Sequence, residues 1–197
     1  FRPPASAVNL TVLIIALGLL GYGFKQGRVF QHGMQENRFP AGAVAFIEAS
    51  RPEFRSYAAR VVENSRALAQ AAIEQGMTVA TRGTDNHLLL IDVRPFGLTG
   101  RQAESIVRES GITLNRNSLP FDPNGPWYTS GLRVGTPATT TLGMGPKQMQ
   151  EIAAVLKLVL SNSKPETTAA GTPSKAKYAI APAAVSEANA RVAMLLS

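Results

Sequence analysis

No charged side chain interrupts the chain from Ala7 to Phe24, and the run Leu10-Thr-Val-Leu-Ile-Ile-Ala-Leu-Gly-Leu-Leu20 is almost wholly aliphatic. At about 1.5 Å per residue this stretch spans roughly 27 Å as a helix, close to the roughly 30 Å hydrocarbon core of a bilayer. It predicts a single transmembrane helix, with Tyr22 and Phe24 at one interface and Lys25 and Arg28 among the headgroups. A retained targeting segment and a buried core helix are the alternatives. Gly18, Gly21 and Gly23 permit close helix approach, so this helix is expected to meet other subunits of a membrane complex as well as the lipid bilayer.

Beyond Pro40 the pattern turns soluble. Ala43 to Ala49 reads as a short helix, and Ser50-Arg-Pro-Glu53 reads as a capping box with proline in the first turn. Phe54, Tyr57, Val61, Leu68, Ala72 and Ile73 then recur at helical spacing until Gly76. The continuous apolar run His87-Leu-Leu-Leu-Ile-Asp-Val93 predicts a strand buried on both faces. Thr99-Gly-Arg-Gln102 is a second capping box, opening a helix to Ser110 that stops at Gly111. Ile112 to Asn115 and Leu132 to Val134 are short strands on either side of a Pro-Gly-rich loop, Pro120 to Pro126. Pro146 begins a helix with Met149, Ile152, Ala153, Leu156 and Leu160 on one face. The composition of Ser163 to Pro182 suggests an extended tether, and Ala183 to Leu196 a final amphipathic helix.

These elements predict an α/β fold, a small sheet covered by helices, preceded by a single transmembrane helix. The expected organisation is a membrane anchor over 1–28, a linker over 29–42, the α/β domain over 43–162, and the tether with its terminal helix over 163–197. Positive residues lie mostly after the apolar run, which places the folded part on the cytoplasmic, matrix or stromal side.

Charge and composition narrow the chemistry. The net charge of +7 and pI near 10.1 favour acidic partners, but Lys and Arg are scattered and the lone Trp127 lies among prolines, so no nucleic-acid partner is expected. Without cysteine there is neither a disulfide framework nor a thiolate metal site, and His32 and His87 alone are too few for a histidine centre. No metal ligand is assigned, and His32 reads as a surface or interface residue.

Four blocks carry a resemblance. They are Gly83-Thr-Asp-Asn-His-Leu-Leu-Leu90, Gly97-Leu-Thr-Gly100, Asn115-Arg-Asn117 and Ser130-Gly-Leu-Arg-Val-Gly-Thr-Pro-Ala138. In this order they resemble the C-terminal part of the serine hydroxymethyltransferases, pyridoxal-phosphate enzymes that interconvert serine and glycine with tetrahydrofolate. The resemblance covers about Ala43 to Lys177 and implies the C-terminal domain of a fold type I pyridoxal-phosphate enzyme. It implies that Arg133 binds the substrate carboxylate, a role suited to a planar guanidinium fork between Gly131 and Gly135; an arginine paired with a neighbouring acid is the other reading. Thr84, Asp85, Asn86 and His87 resemble a family turn that packs two domains together, a possible pocket or interface whose role is architectural.

Departures from the family pattern shape the functional expectation. The family's cofactor lysine follows a Thr-Thr-His motif, and no lysine from Lys25 to Lys177 has that setting. No catalytic or cofactor-binding residue is therefore assigned, and no cofactor is expected. Where some members place an asparagine near the folate, this sequence has Phe121. The expectation is a non-catalytic, single-pass accessory subunit of a larger membrane complex, a pseudoenzyme built on a truncated domain. The alternative is a split or membrane-tethered serine hydroxymethyltransferase that needs a partner chain for the lysine, with pyridoxal phosphate as its cofactor. The basic character, the lack of cysteine and the processed-looking start suggest an organelle inner membrane or thylakoid, in mitochondrion or chloroplast.

Overall fold

Two helices in succession open the computed structural model, which describes residues 41–197. The predicted anchor with Gly18, Gly21 and Gly23, most of the 29–42 linker and His32 lie outside the described residues. Among the described residues, no helix is long and apolar enough to cross a membrane.

Helix α1 covers Ala41–Ala49 and α2 covers Pro52–Glu74. The expected Ser50 capping box does not form. The Ser50 hydroxyl donates instead to Ile47 O at 2.8 Å, closing α1, and Arg51 takes the N-cap position of α2 without a side-chain bond. Pro52 tolerates that arrangement because it has no N–H to satisfy. Gly76, at φ +74, ends α2 as its left-handed preference predicts.

A four-stranded antiparallel sheet follows, built from β1 (Thr78–Val79), β2 (Leu88–Asp92), β3 (Asn115–Asn117) and β4 (Gly131–Gly135), in the order β1-β2-β4-β3. Helix α3 (Gly100–Glu109) connects β2 to β3, and a one-turn helix, α4 (Gly125–Tyr128), precedes β4. After β4 come α5 (Pro137–Thr141) and the long α6 (Pro146–Ser161). Leu89 and Ile91 lie opposite Val134 and Leu132, and these four side chains meet Leu68 and Ala72 of α2, Ile106 of α3 and Met149, Ile152 and Leu156 of α6 in one core. The five apolar positions expected on one face of α6 are all buried.

Three further expectations need correction. The strand expected over Ile112 to Asn115 begins only at Asn115 and runs to Asn117. Strand β2 is not buried on both faces: Leu89 and Ile91 are buried but Leu88 and Leu90 are only half-buried. The apolar run is continuous because one face belongs to the core and the other is partly covered. Nor is 163–182 a tether. It forms an antiparallel hairpin, β5 (Ser163–Thr167) with β6 (Pro173–Ile180), before α7 (Pro182–Leu196) packs on α6.

What fixes the hairpin is Gln102, fully buried on α3. The Thr99 capping box forms as predicted, with Gln102 N–H donating to Thr99 Oγ1 and Thr99 N–H to Gln102 Oε1. The same Gln102 amide donates to Ser174 O and Lys177 O, each at 2.7 Å, and the Thr99 hydroxyl donates to Lys175 O at 2.8 Å. Gln102→Ala keeps the backbone N–H that Thr99 Oγ1 accepts from, but removes the return bond to Thr99 N and leaves two hairpin carbonyls without their donor, at an expected cost of about 2–3 kcal/mol. Urea unfolding would show this, and amide exchange over 163–180 should accelerate more than in α6.

Candidate amino-acid site

Strand alternation decides which side chains share a face. Leu132 and Val134 point into the core, so Gly131, Arg133 and Gly135 occupy the opposite face of β4. Arg133 lies opposite Leu90 on β2 and Asn115 on β3, in the middle of the sheet. Its Nε is buried and has no hydrogen-bond partner, and among the described residues it forms no ion pair. A buried guanidinium N–H left unpaired is costly, and a planar fork is the natural complement of a carboxylate. Among the described residues no acid pairs with Arg133.

Both ends of β4 are fastened. At its entry Asp122 accepts four hydrogen bonds: from Ser130 Oγ (2.6 Å), Ser130 N (2.7 Å), Asn124 N (2.9 Å) and Leu119 N (3.0 Å). Thr129 is buried with φ 56° and ψ 175°, a backbone region that is essentially glycine's. Its strain is held in place by Thr129 O accepting from Gly100 N and by Ser130 O accepting from Val93 N. Gly131 cannot carry a side chain, since a Cβ would sit 2.7 Å from Leu119 Cδ2 and 2.9 Å from Asn117 O. At the exit the Thr136 hydroxyl donates to Val61 O at 2.8 Å, and Asn64 of α2 donates to Thr140 Oγ1 and Met144 O, each at 2.9 Å. Arg133 therefore stands on a strand tied to the scaffold on both sides, as a binding group must be.

Burial pushes the Asp122 carboxyl up, but the hydrogen bonds from the Ser130 hydroxyl and from the three N–H groups outweigh it and hold the group below the usual carboxylate range. A depressed folded value means that the ionised Asp122 contributes stability above the unfolded value of 3.8, and that this is lost as pH falls through the folded value. Wild type should be more stable than Asp122→Asn at pH 6, with the difference shrinking once the pH drops below 3.8. Chemical denaturation across that pH range is the check.

Thr84, Asp85, Asn86 and His87 form a turn rather than a reactive cluster. The Thr84 hydroxyl donates to Leu88 O at 2.6 Å and accepts from Asn86 N, while Asn86 Oδ1 accepts from Leu88 N. Asp85 pairs with Arg66 at 3.2 Å, but both side chains are largely exposed and such a pair contributes at most about 1 kcal/mol. The His87 side chain is exposed, and only its carbonyl reaches the end of β4, accepting from Thr136 N. Thr84, Asp85 and Asn86 line an open groove with Arg66, Gln70 and Arg82; Arg133 is not part of it.

Two arrangements escape the linear reading. Asp92 ends β2, and Arg94 grips its carboxylate from both sides, with Nε 3.0 Å from Oδ1 and from Oδ2 and Nη2 2.6 Å from Oδ2. Trp127 lies under two guanidiniums, Arg101 at 5.5 Å and Arg116 at 5.6 Å from the ring centre. Phe121, at the position where the family departure was noted, is fully exposed at φ 56°. A sequence signal exists for Asp122 alone, the Asp-Pro-Asn-Gly turn chemistry.

The described lysines are Lys147 and Lys157 on α6 and Lys164, Lys175 and Lys177 on the hairpin, all off the sheet that carries Arg133. Among the described residues, then, no lysine shares the sheet with Arg133. Among them there is also no group of three or more acids and histidines able to hold a metal ion.

Comparison with known proteins bears on the same region. The family model for serine hydroxymethyltransferase matches residues 26–156. The serine hydroxymethyltransferase of Treponema pallidum (strain Nichols) is 62% identical over 135 residues, 68% of this chain and 24% of that protein. The serine hydroxymethyltransferase of Salinispora tropica is 52% identical over 157 residues, 80% of this chain and 33% of that protein. That of Mycolicibacterium smegmatis is 48% identical over 157 residues, 80% of this chain and 31% of that protein. The chain spans only 24% to 33% of the length of these relatives.

Proposed function

Since the chain belongs to the serine hydroxymethyltransferase family, we propose that its folded part is the C-terminal, amino-acid-binding portion of such an enzyme, and that Arg133 grips the carboxylate of serine or glycine. The observation that carries this is the buried Nε of Arg133, without a partner among the described residues, in the middle of the sheet. On this reading the lysine that carries pyridoxal phosphate lies outside the described residues, on another part of the same protein or on another chain. Tetrahydrofolate takes up the one-carbon unit as serine becomes glycine.

Within that reaction the residues described here bind and orient. A carboxylate held by a fork on a rigid strand fixes the amino acid's α-carbon relative to groups on the facing part. Gly131 gives its space to Leu119, whose side chain packs against the bare backbone two residues before Arg133 and helps hold the strand in place. The test is conversion of isotopically labelled serine to glycine by this chain assembled with a lysine-bearing serine hydroxymethyltransferase portion. Folate-dependent conversion by the assembly, and none by the lysine-bearing portion alone, is the expected outcome. Assembly without conversion would sink the reading.

The uncharged run from Ala7 to Phe24 favours a second reading. In it the domain is an accessory, non-catalytic subunit of a membrane complex, in an organellar inner or thylakoid membrane, with Gly18, Gly21 and Gly23 facing neighbouring subunits. The relatives named as the enzyme argue for the catalytic reading first. Mild detergent extraction separates the two: stable co-purification with integral membrane proteins, without serine conversion, supports the second.

A further inference from the structure

Arg133 is unpaired although an acid stands close by on its own face. Asp92 lies opposite Gly131, and Arg133 lies opposite Leu90, so Asp92 is one diagonal step away across the β2–β4 pair. Positions so related are within reach of long side chains. Asp92 is also the one acidic residue in the four strands of this sheet. An arginine with an empty, buried Nε beside a carboxylate is expected to pair with it, because both groups are partly withdrawn from water.

The Asp92 carboxylate is already taken up by Arg94. Its Nε and Nη2 contact both oxygens of Asp92, at 2.6 to 3.0 Å, and its backbone N–H donates to Oδ1 at 2.9 Å. The Asp92 side chain is 9% exposed, so little of its surface is left for another partner. The Arg94 side chain is half exposed and turns back two residues to do this. We infer that Arg94 is a positioning residue, whose clamp on Asp92 keeps the Arg133 guanidinium open for the substrate's carboxylate. This rests on the carboxylate-binding assignment of Arg133.

A purely structural role for Arg94, bracing the turn after β2, predicts something different, and two measurements distinguish them. The first is the Nε–H resonance of Arg133 in the full chain labelled with 15N-arginine and free of substrate. Arg94→Ala, or the gentler Arg94→Gln if alanine impairs folding, should move that resonance downfield and slow its exchange as Asp92 turns to Arg133. Adding Asp92→Asn should abolish the change. The second is the KM for serine in the assembled enzyme, which Arg94→Ala should raise about tenfold, more than it lowers kcat, through competition between two carboxylates for one fork. The double variant Arg94→Ala/Asp92→Asn should recover most of that loss. An Arg133 resonance that does not respond, or a double variant no better than the single one, overturns the inference. A resonance that moves while KM stays put upholds the clamp and overturns instead the assignment of Arg133.

Discussion

Replacing Arg133 with alanine is expected to raise the KM for serine by roughly 30-fold or more in the assembled enzyme. Removing one partner of a buried, hydrogen-bonded charge pair costs about 2–5 kcal/mol, which corresponds to roughly 30-fold up to several thousandfold in affinity. Arg133→Lys should recover little, because an ammonium keeps the charge but cannot present the parallel N–H pair. kcat should fall as well, by a smaller factor, since an amino acid held at one point fewer reaches the reacting geometry less often. The fold should not suffer. Arg133 makes no hydrogen bond through its buried Nε, so Arg133→Leu removes an unsatisfied donor and places an apolar side chain opposite Leu90. Steady-state kinetics paired with thermal unfolding is the check: loss of binding with no loss of stability, a combination expected of a group kept for a ligand.

The largest expected effect on stability is at Gly100. A Cβ there would lie 2.1 Å from Thr129 Oγ1, 2.8 Å from Gly131 O and 3.2 Å from Tyr128 O. Two of these atoms are backbone, and Thr129 is already strained and buried, so the neighbours cannot yield without moving the start of β4. Gly100→Ala should cost about 3 kcal/mol or more, at the upper end of what overpacking does. Gly97→Ala is the control: its surroundings are open, and only the φ of +71 penalises it, by about 1 kcal/mol. Denaturant midpoints should separate the two variants clearly. Because the Gly100 N–H donates to Thr129 O, pushing the two segments apart should stretch that bond, shift the start of β4 and weaken substrate binding through Arg133 as well.

Local chemistry was legible in the sequence, and tertiary chemistry was not. The Thr99–Gln102 box, the Gly76 stop and the buried face of α6 each depend on residues a few positions apart, and each formed as the spacing implies. The Ser50 box failed for an equally local reason, since the preceding helix offered Ser50 an acceptor first. The hairpin left little trace in the sequence because the first half of its alternation is carried by small residues: Ser174 and Ala176, like Tyr178 and Ile180 after them, are half-buried and their neighbours exposed. Its register is secured by Gln102, more than seventy positions away. The contacts of Arg101 and Arg116 with Trp127 likewise join α3, β3 and α4, so basic residues scattered in the sequence meet in space.

The site divides along the same line. The motif around Arg133 pointed to a carboxylate, but not to which one. That depends on where Asp92 is directed, and so on Arg94, and on how Asp122 and Thr136 pin the two ends of β4. None of these relations has a periodic signature.

The most direct test of the account is the discrimination between glycine and glycinamide by the assembled enzyme, measured as equilibrium affinities for wild type and Arg133→Lys. The two ligands differ only at the carboxyl group. Wild type is predicted to prefer glycine by about a hundredfold, the magnitude of a buried charge-assisted pair, and the variant to lose most of that preference. An unchanged preference in Arg133→Lys would mean that the carboxylate is held elsewhere, and would contradict the role assigned to Arg133.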